Sequence, residues 1–119
     1  MSKTITLVAR RTPYGGDKAR QTLDIAFAAA VFDHEVRYVF IGDGVWQLKK
    51  EQSASEIDRK PHAAALETLE LYGIDKIYAL QDSLSERQLD INDLIANVQV
   101  VDDATVRTLL AGPGHIINL

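Results

Sequence analysis

The sequence contains no cysteine among its 119 residues. This absence excludes disulfide bonds, thiolate nucleophiles and thiolate metal ligands, and the chain therefore cannot itself carry sulfur on a thiol. Histidine, aspartate and glutamate remain for metal binding or acid–base chemistry. The histidines His34, His62 and His115 are scattered and form no pair at helical metal-ligand spacing, and no serine lies in a Gly-x-Ser-x-Gly elbow. We therefore predict no metal, no cofactor and no catalytic residue in this chain.

The sequence also lacks a basic surplus and a long apolar run. Thirteen Lys and Arg residues face 17 Asp and Glu residues, which gives a net charge of -4 and argues against a nucleic acid as a direct partner. The longest apolar stretch, Ile25 to Phe32, is far shorter than the roughly 20 residues that cross a bilayer. The first ten residues alternate like a strand and do not resemble a signal peptide. We expect a cytoplasmic protein without a membrane span.

Strand patterns alternate with helical patterns along the whole chain, which we predict to be one domain over residues 1–119. Such alternation is typical of an α/β fold with three layers, a mostly parallel five-stranded sheet and helices on both faces. The helix pattern that starts at Pro61 runs to Tyr72, and Gly73 suits the position just after a helix. Ser83 and Glu86 have the spacing of a capping box at the start of a short helix. The predicted strands are 4–9, 35–41, 76–80, 98–101 and 115–119, and the predicted helices are 17–31, 61–72, 83–87 and 103–111.

The loops that follow the strands are the first places to search for a site, because ligands of open α/β sheets bind beyond the carboxyl ends of the strands. The loop from Arg10 to Gly16 carries Arg11, Gly15 and Gly16 ahead of a helix and could bind an anion. It lacks the spacing of a phosphate-binding or dinucleotide fingerprint, so a plain turn between strand and helix is the alternative. The Gly42-Asp43-Gly44 segment is interpreted as a tight turn.

Trp46 is the only tryptophan and follows this turn closely. Protein interfaces use aromatic anchors surrounded by polar residues, and the segment after Trp46 is charged. We predict a possible interface at Val45, Trp46 and Leu48. The alternative is that Trp46 covers the core of its own domain.

Two segments carry a resemblance to a known family. The segment from Phe40 to Leu48, FIGDGVWQL, resembles the F-I-A-D-G-V-F-Q-L segment of the TusC/DsrF family of sulfur-relay subunits. The segment from Ser83 to Leu89, SLSERQL, is similar to that family's S-L-x-E-R-G-L segment, and the order of elements near the C-terminus agrees as well. Gln88 stands where the family has glycine, and we expect the turn there to differ.

The resemblance implies a compact parallel α/β domain of the DsrE/DsrF-like group. By similarity this chain would join TusB-like and TusD-like subunits in a heterohexamer of three related subunits, two copies of each. The TusD-like subunit carries the persulfide cysteine in the loop after the third strand, and the corresponding place in this chain falls near Leu80. A TusA-like donor would supply sulfur and a TusE-like acceptor would receive it.

Three kinds of function follow as hypotheses. In the first, the chain is a non-catalytic docking subunit of a sulfur-relay complex that serves tRNA wobble-uridine 2-thiolation, or sulfur oxidation in its Dsr version. In the second, it is an independent anion-binding or small-molecule-binding α/β protein that uses the Arg10 to Gly16 loop. A homo-oligomeric adaptor is a third hypothesis, because a fold alone does not determine function.

Overall fold

Five strands form one sheet in the computed structural model of the protein, which describes residues 4–12, 18–49, 66, 68–95, 97–112 and 114–118. The order across the sheet is β4-β3-β2-β1-β5, and every neighbouring pair is parallel. The predicted five-stranded parallel α/β fold is therefore confirmed. The strands are β1 (Thr4–Ala9), β2 (Glu35–Phe40), β3 (Lys76–Leu80), β4 (Val98–Val101) and β5 (His115–Asn118).

Helical segments connect the strands, as parallel pairs require. The Asp102 carboxylate begins the last α-helix by accepting a hydrogen bond from the Thr105 N–H at 2.8 Å. Hydrogen bonds from the Thr105 side chain and then from its N–H lower the pKa of Asp102. The predicted start of a helix at Pro61 lies outside the described residues. The described α-helices are α1 (Lys18–Val31), α2 (Gln81–Glu86) and α3 (Asp103–Ala111), and the 3₁₀ helices are Gly42–Leu48, Thr68–Tyr72 and Ile91–Asp93.

The two faces of the sheet are packed by different elements. On one face, fully buried Leu7, Tyr38 and Phe40 belong to the main apolar cluster together with Leu23 of α1. Side chains of a strand alternate between the faces, so Val39 belongs to the opposite face. There α3 covers the sheet, because its Val106 is buried and its end at Gly112 adjoins the Arg37 guanidinium. Helices thus lie on both faces, as predicted.

The helices before β2, before β3 and before the 3₁₀ turn at Ile91 end in the same way. In each, a residue with positive φ stands just after the helix: Asp33 at 67°, Gly73 at 80° and Gln88 at 57°. Two backbone bonds close each turn, for example His34 N–H to Ala29 O at 3.1 Å, in the pattern of the Schellman motif. The prediction for Gly73 is confirmed. The expectation that Gln88 changes its turn is wrong, since Gln88 adopts the left-handed conformation that glycine favours.

The predicted capping box at Ser83 is also wrong. The helix α2 begins at Gln81, directly after β3, and Leu80 precedes it without a side-chain cap. Ser83 therefore lies inside the helix, where it is buried. A capping box does occur nearby, at Asp90 and Asp93. The Asp90 carboxylate accepts the Asp93 N–H, and the Asp93 carboxylate accepts the Asp90 N–H. The box predicted at Ser83 does not form because β3 and α2 join without a loop between them.

Candidate functional site

The loops after β1 and β2 meet at the carboxyl edge of the sheet, the edge at which all five parallel strands end. Gly44 lies directly on the backbone of Ala9, and a Cβ atom at Gly44 would be only 2.0 Å from the Ala9 carbonyl oxygen. The Ile41 N–H donates to the same oxygen at 3.1 Å. Gly42 has a φ of 55°, so it alone of the two glycines needs the left-handed region. Gly44 is required by the close approach of two loops.

The two segments that carry the family resemblance contact each other at this edge. The Ser83 Oγ accepts a hydrogen bond from the Gly42 N–H at 2.8 Å. The Arg87 guanidinium contacts the Asp43 Oδ1 through Nε at 3.1 Å and Nη2 at 3.0 Å, and its Nη1 donates to the Ser83 carbonyl at 3.1 Å. A charge-assisted, forked contact of this kind fixes orientation as well as distance. These contacts join the loop after β2 to the helix after β3.

Leu80 occupies the junction between these elements. It is the last residue of β3 and the residue immediately before α2, and its side chain is half-buried. The position near which the resemblance implies a relay cysteine thus lies at the carboxyl edge, next to the joined segments. The nearest hydroxyl on α2, that of Ser83, is buried and accepts the Gly42 N–H.

The predicted interface residues occupy different depths. Val45 and Leu48 are fully buried in the main apolar cluster, whereas Trp46 between them is half-buried. The Lys49 ammonium lies 5.8 Å from the centroid of the Trp46 ring, within the range of a cation–π contact. An interface role at this loop stays a prediction for Trp46. Val45 and Leu48 could affect a partner only by holding the loop in place.

The residues proposed for anion binding lie beside this loop. Arg11 is exposed, and its carbonyl accepts a hydrogen bond from the buried Gln47 side chain at 2.7 Å. The Arg10 Nε donates to the Asn118 Oδ1 at 2.9 Å. Gly15 and Gly16 lie outside the described residues. The anion site therefore stays a prediction, and the structure adds Gln47 as a contact between the loops after β1 and β2.

Sequence reasoning missed the roles of Gln47, Ser83 and Arg87. All three lie in or next to the two resemblance segments, and that placement was the one signal that could have found them. Within the described part of the chain, no three His, Asp or Glu side chains are grouped as metal ligands would be. No helix among the described residues has the length and apolarity to span a membrane. The geometry of this edge serves to hold the loops after β1 and β2 and the start of α2 in one arrangement.

Comparison with known proteins identifies the family and the relatives to which the sequence is similar. A model of the DsrE/DsrF-like family matches residues 3–119. A Protein TusC homolog of Pseudomonas aeruginosa is 36% identical over 119 residues, which is 100% of both chains. A Protein TusC homolog of Vibrio vulnificus is 32% identical over 96% of this chain and 97% of its own length. Protein TusC of Buchnera aphidicola from Acyrthosiphon pisum is 33% identical over 98% of both.

Solved structures agree with the fold. The ychN protein of E. coli superposes with a TM-score of 0.86 at 18% identity, and the match covers 100% of both chains. A protein of unknown function from Methanobacterium thermoautotrophicum superposes with a TM-score of 0.70 at 16% identity, again over 100% of both chains. At these identities the likeness concerns the fold alone.

Proposed function

Because this chain belongs to the DsrE/DsrF-like family, we propose that it is a non-catalytic subunit of a TusBCD-type sulfur-relay complex. In this role it binds TusB-like and TusD-like subunits in a cytoplasmic heterohexamer. The complex receives sulfur from a TusA-like donor and passes it to a TusE-like acceptor for 2-thiolation of the tRNA wobble uridine. The relatives named TusC, which match nearly the whole length of the chain, support the assignment of the subunit type.

The observation that carries the proposal is the side chain at the relay position. In a persulfide relay, an acceptor thiolate attacks the outer sulfur of a donor persulfide, the S–S bond breaks, and the donor cysteine leaves as a thiolate. Each such step needs a cysteine on both sides. This chain has none, and the apolar Leu80 lies at the junction where the resemblance implies the relay cysteine. The transfer chemistry is therefore assigned to a neighbouring subunit.

The carboxyl edge supports a docking role instead. Its loops are held by Gly44 against Ala9 and by the contacts of Arg87 with Asp43 and Ser83, all within the chain. Groups already paired in this way are not available to bind a small substrate, but they present a surface of fixed shape. Loops that are already rigid lose less conformational entropy when a protein partner binds them.

The test is to express the chain together with the TusB-like and TusD-like proteins of its own genome and to record native mass spectra. We expect one complex with two copies of each subunit. After incubation with a sulfur donor, the TusD-like subunit alone should gain about 32 Da, the mass of the one outer sulfur atom that is transferred. The proposal would be contradicted if the complex carried no persulfide and if a strain lacking this gene kept normal tRNA thiolation.

The cellular control separates the two sulfur pathways. Deletion of the gene should remove 2-thiouridine from hydrolysed tRNA, and a plasmid copy should restore it. Unchanged 2-thiouridine together with lost sulfur oxidation would assign the subunit to a Dsr-type pathway. A monomer that ignores both subunits would contradict the relay role altogether.

A further inference from the structure

Two helix ends place large apolar side chains in solvent at the amino edge of the sheet, opposite the site described above. Leu71 is 85% exposed, Phe32 73% and Val31 70%, and Tyr72 is also exposed. Val31 is the last residue of α1 and Phe32 follows it directly, whereas Leu71 and Tyr72 are the last two residues of the Thr68–Tyr72 helix. The two ends lie side by side, since the rings of Tyr72 and Phe27 of α1 are 4.8 Å apart. They make one apolar patch, which we call the helix-end patch: Val31, Phe32, Leu71 and Tyr72.

An acidic groove adjoins the helix-end patch. The turns that follow the two helix ends line a groove of about 430 Å³, with Asp33 and Asp75 at its sides. Lys76 also lines it, but its ammonium binds the Glu35 carboxylate. Within the described part of the chain, no Lys or Arg forms an ion pair with Asp33 or Asp75. Among the described residues, the carboxylates of Asp33 and Asp75 therefore give the groove negative charge that no Lys or Arg ion pair offsets.

The helix ends add to this charge. A helix C-terminus carries partial negative charge from its last carbonyl groups, and a cation nearby stabilises it. Neither α1 nor the Thr68–Tyr72 helix has a basic residue in its last turn. The dipole of α1 and the carboxylates of Asp33 and Asp75 thus favour a cation beside them.

We infer that the helix-end patch and the acidic groove form a second docking surface, at the edge opposite the carboxyl-edge loops, by which this chain binds a different protein subunit, one that presents a Lys or Arg side chain flanked by apolar side chains. This inference rests on the proposed function, because it names a further docking surface of this subunit within that complex. The apolar side chains would cover Leu71 and Phe32, and the cation would enter the groove beside Asp33 and Asp75. Interfaces with an apolar centre and a charged rim follow this plan.

A second copy of this chain fits the surface poorly. A two-fold contact would pair the patch with itself and bring together the carboxylates of Asp33 and Asp75 on both copies, which have no ion pair among the described residues. Like charges brought together weaken association. The net charge of -4 points the same way. The occupant is therefore a subunit of different sequence.

The experiment measures assembly of the full chain with the TusB-like and TusD-like proteins. Native mass spectrometry gives the complexes that form, and titration of the chain with these proteins gives the dissociation constant. Leu71→Ser should weaken binding by roughly tenfold or more, because a central apolar contact is lost. Asp33→Asn keeps a residue that tolerates positive φ and removes only the charge. Combined with Asp75→Asn, it should weaken binding by about threefold to tenfold and flatten the salt dependence.

Ile91→Ser is the matched control, because Ile91 is 53% exposed on the 3₁₀ turn after α2, away from the patch. Equal assembly of the wild type, Leu71→Ser and the double Asn variant would overturn this inference and leave the proposed function standing. Loss of assembly in Ile91→Ser alone would overturn it too. A wild type that binds neither subunit would overturn both. Self-association that Leu71→Ser abolishes would assign the patch to a second copy and contradict the inference.

Discussion

The two edges of the sheet are built in opposite ways. At the carboxyl edge, polar groups are paired within the chain: Ser83 with Gly42, and Arg87 with Asp43. At the amino edge, Leu71 is 85% exposed and Asp33 has no ion-pair partner among the described residues. The difference indicates that the carboxyl edge is fixed by internal contacts, whereas the amino edge has unused capacity for contacts with another chain.

The contrast separates residues that determine the stability of the isolated chain from residues that determine its assembly with partners. Substitutions at the carboxyl edge should change the stability of the isolated chain, because their partners lie within it. Substitutions of the helix-end patch should leave that stability nearly unchanged, within about 0.5 kcal/mol, as exposed positions usually do. The same side chains should change assembly. Measuring both quantities for each variant tests the comparison directly.

The largest effect is expected for Gly44→Ala. The new Cβ would lie 2.0 Å from the Ala9 carbonyl oxygen, a backbone atom that cannot rotate away. One loop would have to move, and we expect a loss of more than about 3 kcal/mol in the free energy of unfolding, measured by urea titration.

Gly42→Ala provides the control for that substitution. It meets nothing within 4 Å, so only its positive φ of 55° is strained. The expected loss is about 1 kcal/mol. A greater loss at Gly42 than at Gly44 would show that loop contact does not fix this edge.

Ser83→Ala tests the bond between the two resemblance segments. It removes the acceptor of the Gly42 N–H at 2.8 Å inside a buried site. An N–H left without a partner costs about 1 to 2 kcal/mol, and unfolding in urea should reveal the loss. Ser85→Ala is the matched control, since Ser85 lies on the same helix with an exposed side chain. Equal stability of the two variants would refute the role of Ser83.

Gln88→Gly should stabilise the chain. Gln88 has a φ of 57° in the turn after α2, and a side chain in that conformation costs about 1 kcal/mol that glycine avoids. The thermal midpoint should rise accordingly. Gly73→Ala is the mirror experiment: its φ is 80°, nothing lies within 4 Å of the new Cβ, and the midpoint should fall. If neither midpoint moved, the left-handed turns would carry no strain.

The strands and most helices could be predicted from sequence because local patterns determine them. The β-branched and apolar runs of β1 and β2 and the position of Gly73 after a helix are local signals of this kind. Ser83 shows the limit. The Ser-x-x-Glu spacing that marks a helix start also fits inside a helix, and here β3 passes into α2 at Leu80 without a loop.

The contacts at the carboxyl edge could not be predicted because their partners are distant in sequence. Gly42 and Ser83 are 41 residues apart, and Asp43 and Arg87 are 44 residues apart. No periodicity reports such a pairing. The need for glycine at position 44 likewise depends on where Ala9 ends its strand. The resemblance marked the right segments, but only the fold shows that they touch.

Glu35 tests the amino edge, where the expected effect is smallest. Its carboxylate binds the Lys76 ammonium and accepts a hydrogen bond from the Thr4 hydroxyl at 3.2 Å. The bond from Lys76 is the main cause that lowers the pKa of Glu35. Both side chains of the pair are 39% exposed, so solvent screens the pair, and Glu35→Gln should cost less than about 1 kcal/mol at pH 7.

The pH dependence gives that small effect a sign. Because the folded-state pKa is lowered, the stabilisation by Glu35 is complete above the ordinary glutamate pKa of about 4.3 and is lost as the pH falls through the lower folded value. The wild type and Glu35→Gln should therefore converge in urea midpoint below that range. Asp24→Asn, at the more exposed pair with Arg20, should show a still smaller difference. The opposite result would be a wild type that becomes more stable than Glu35→Gln, by urea midpoint, as the pH falls. It would mean that the ionised carboxylate destabilises this edge and that the pair with Lys76 does not offset its burial beside the acidic groove.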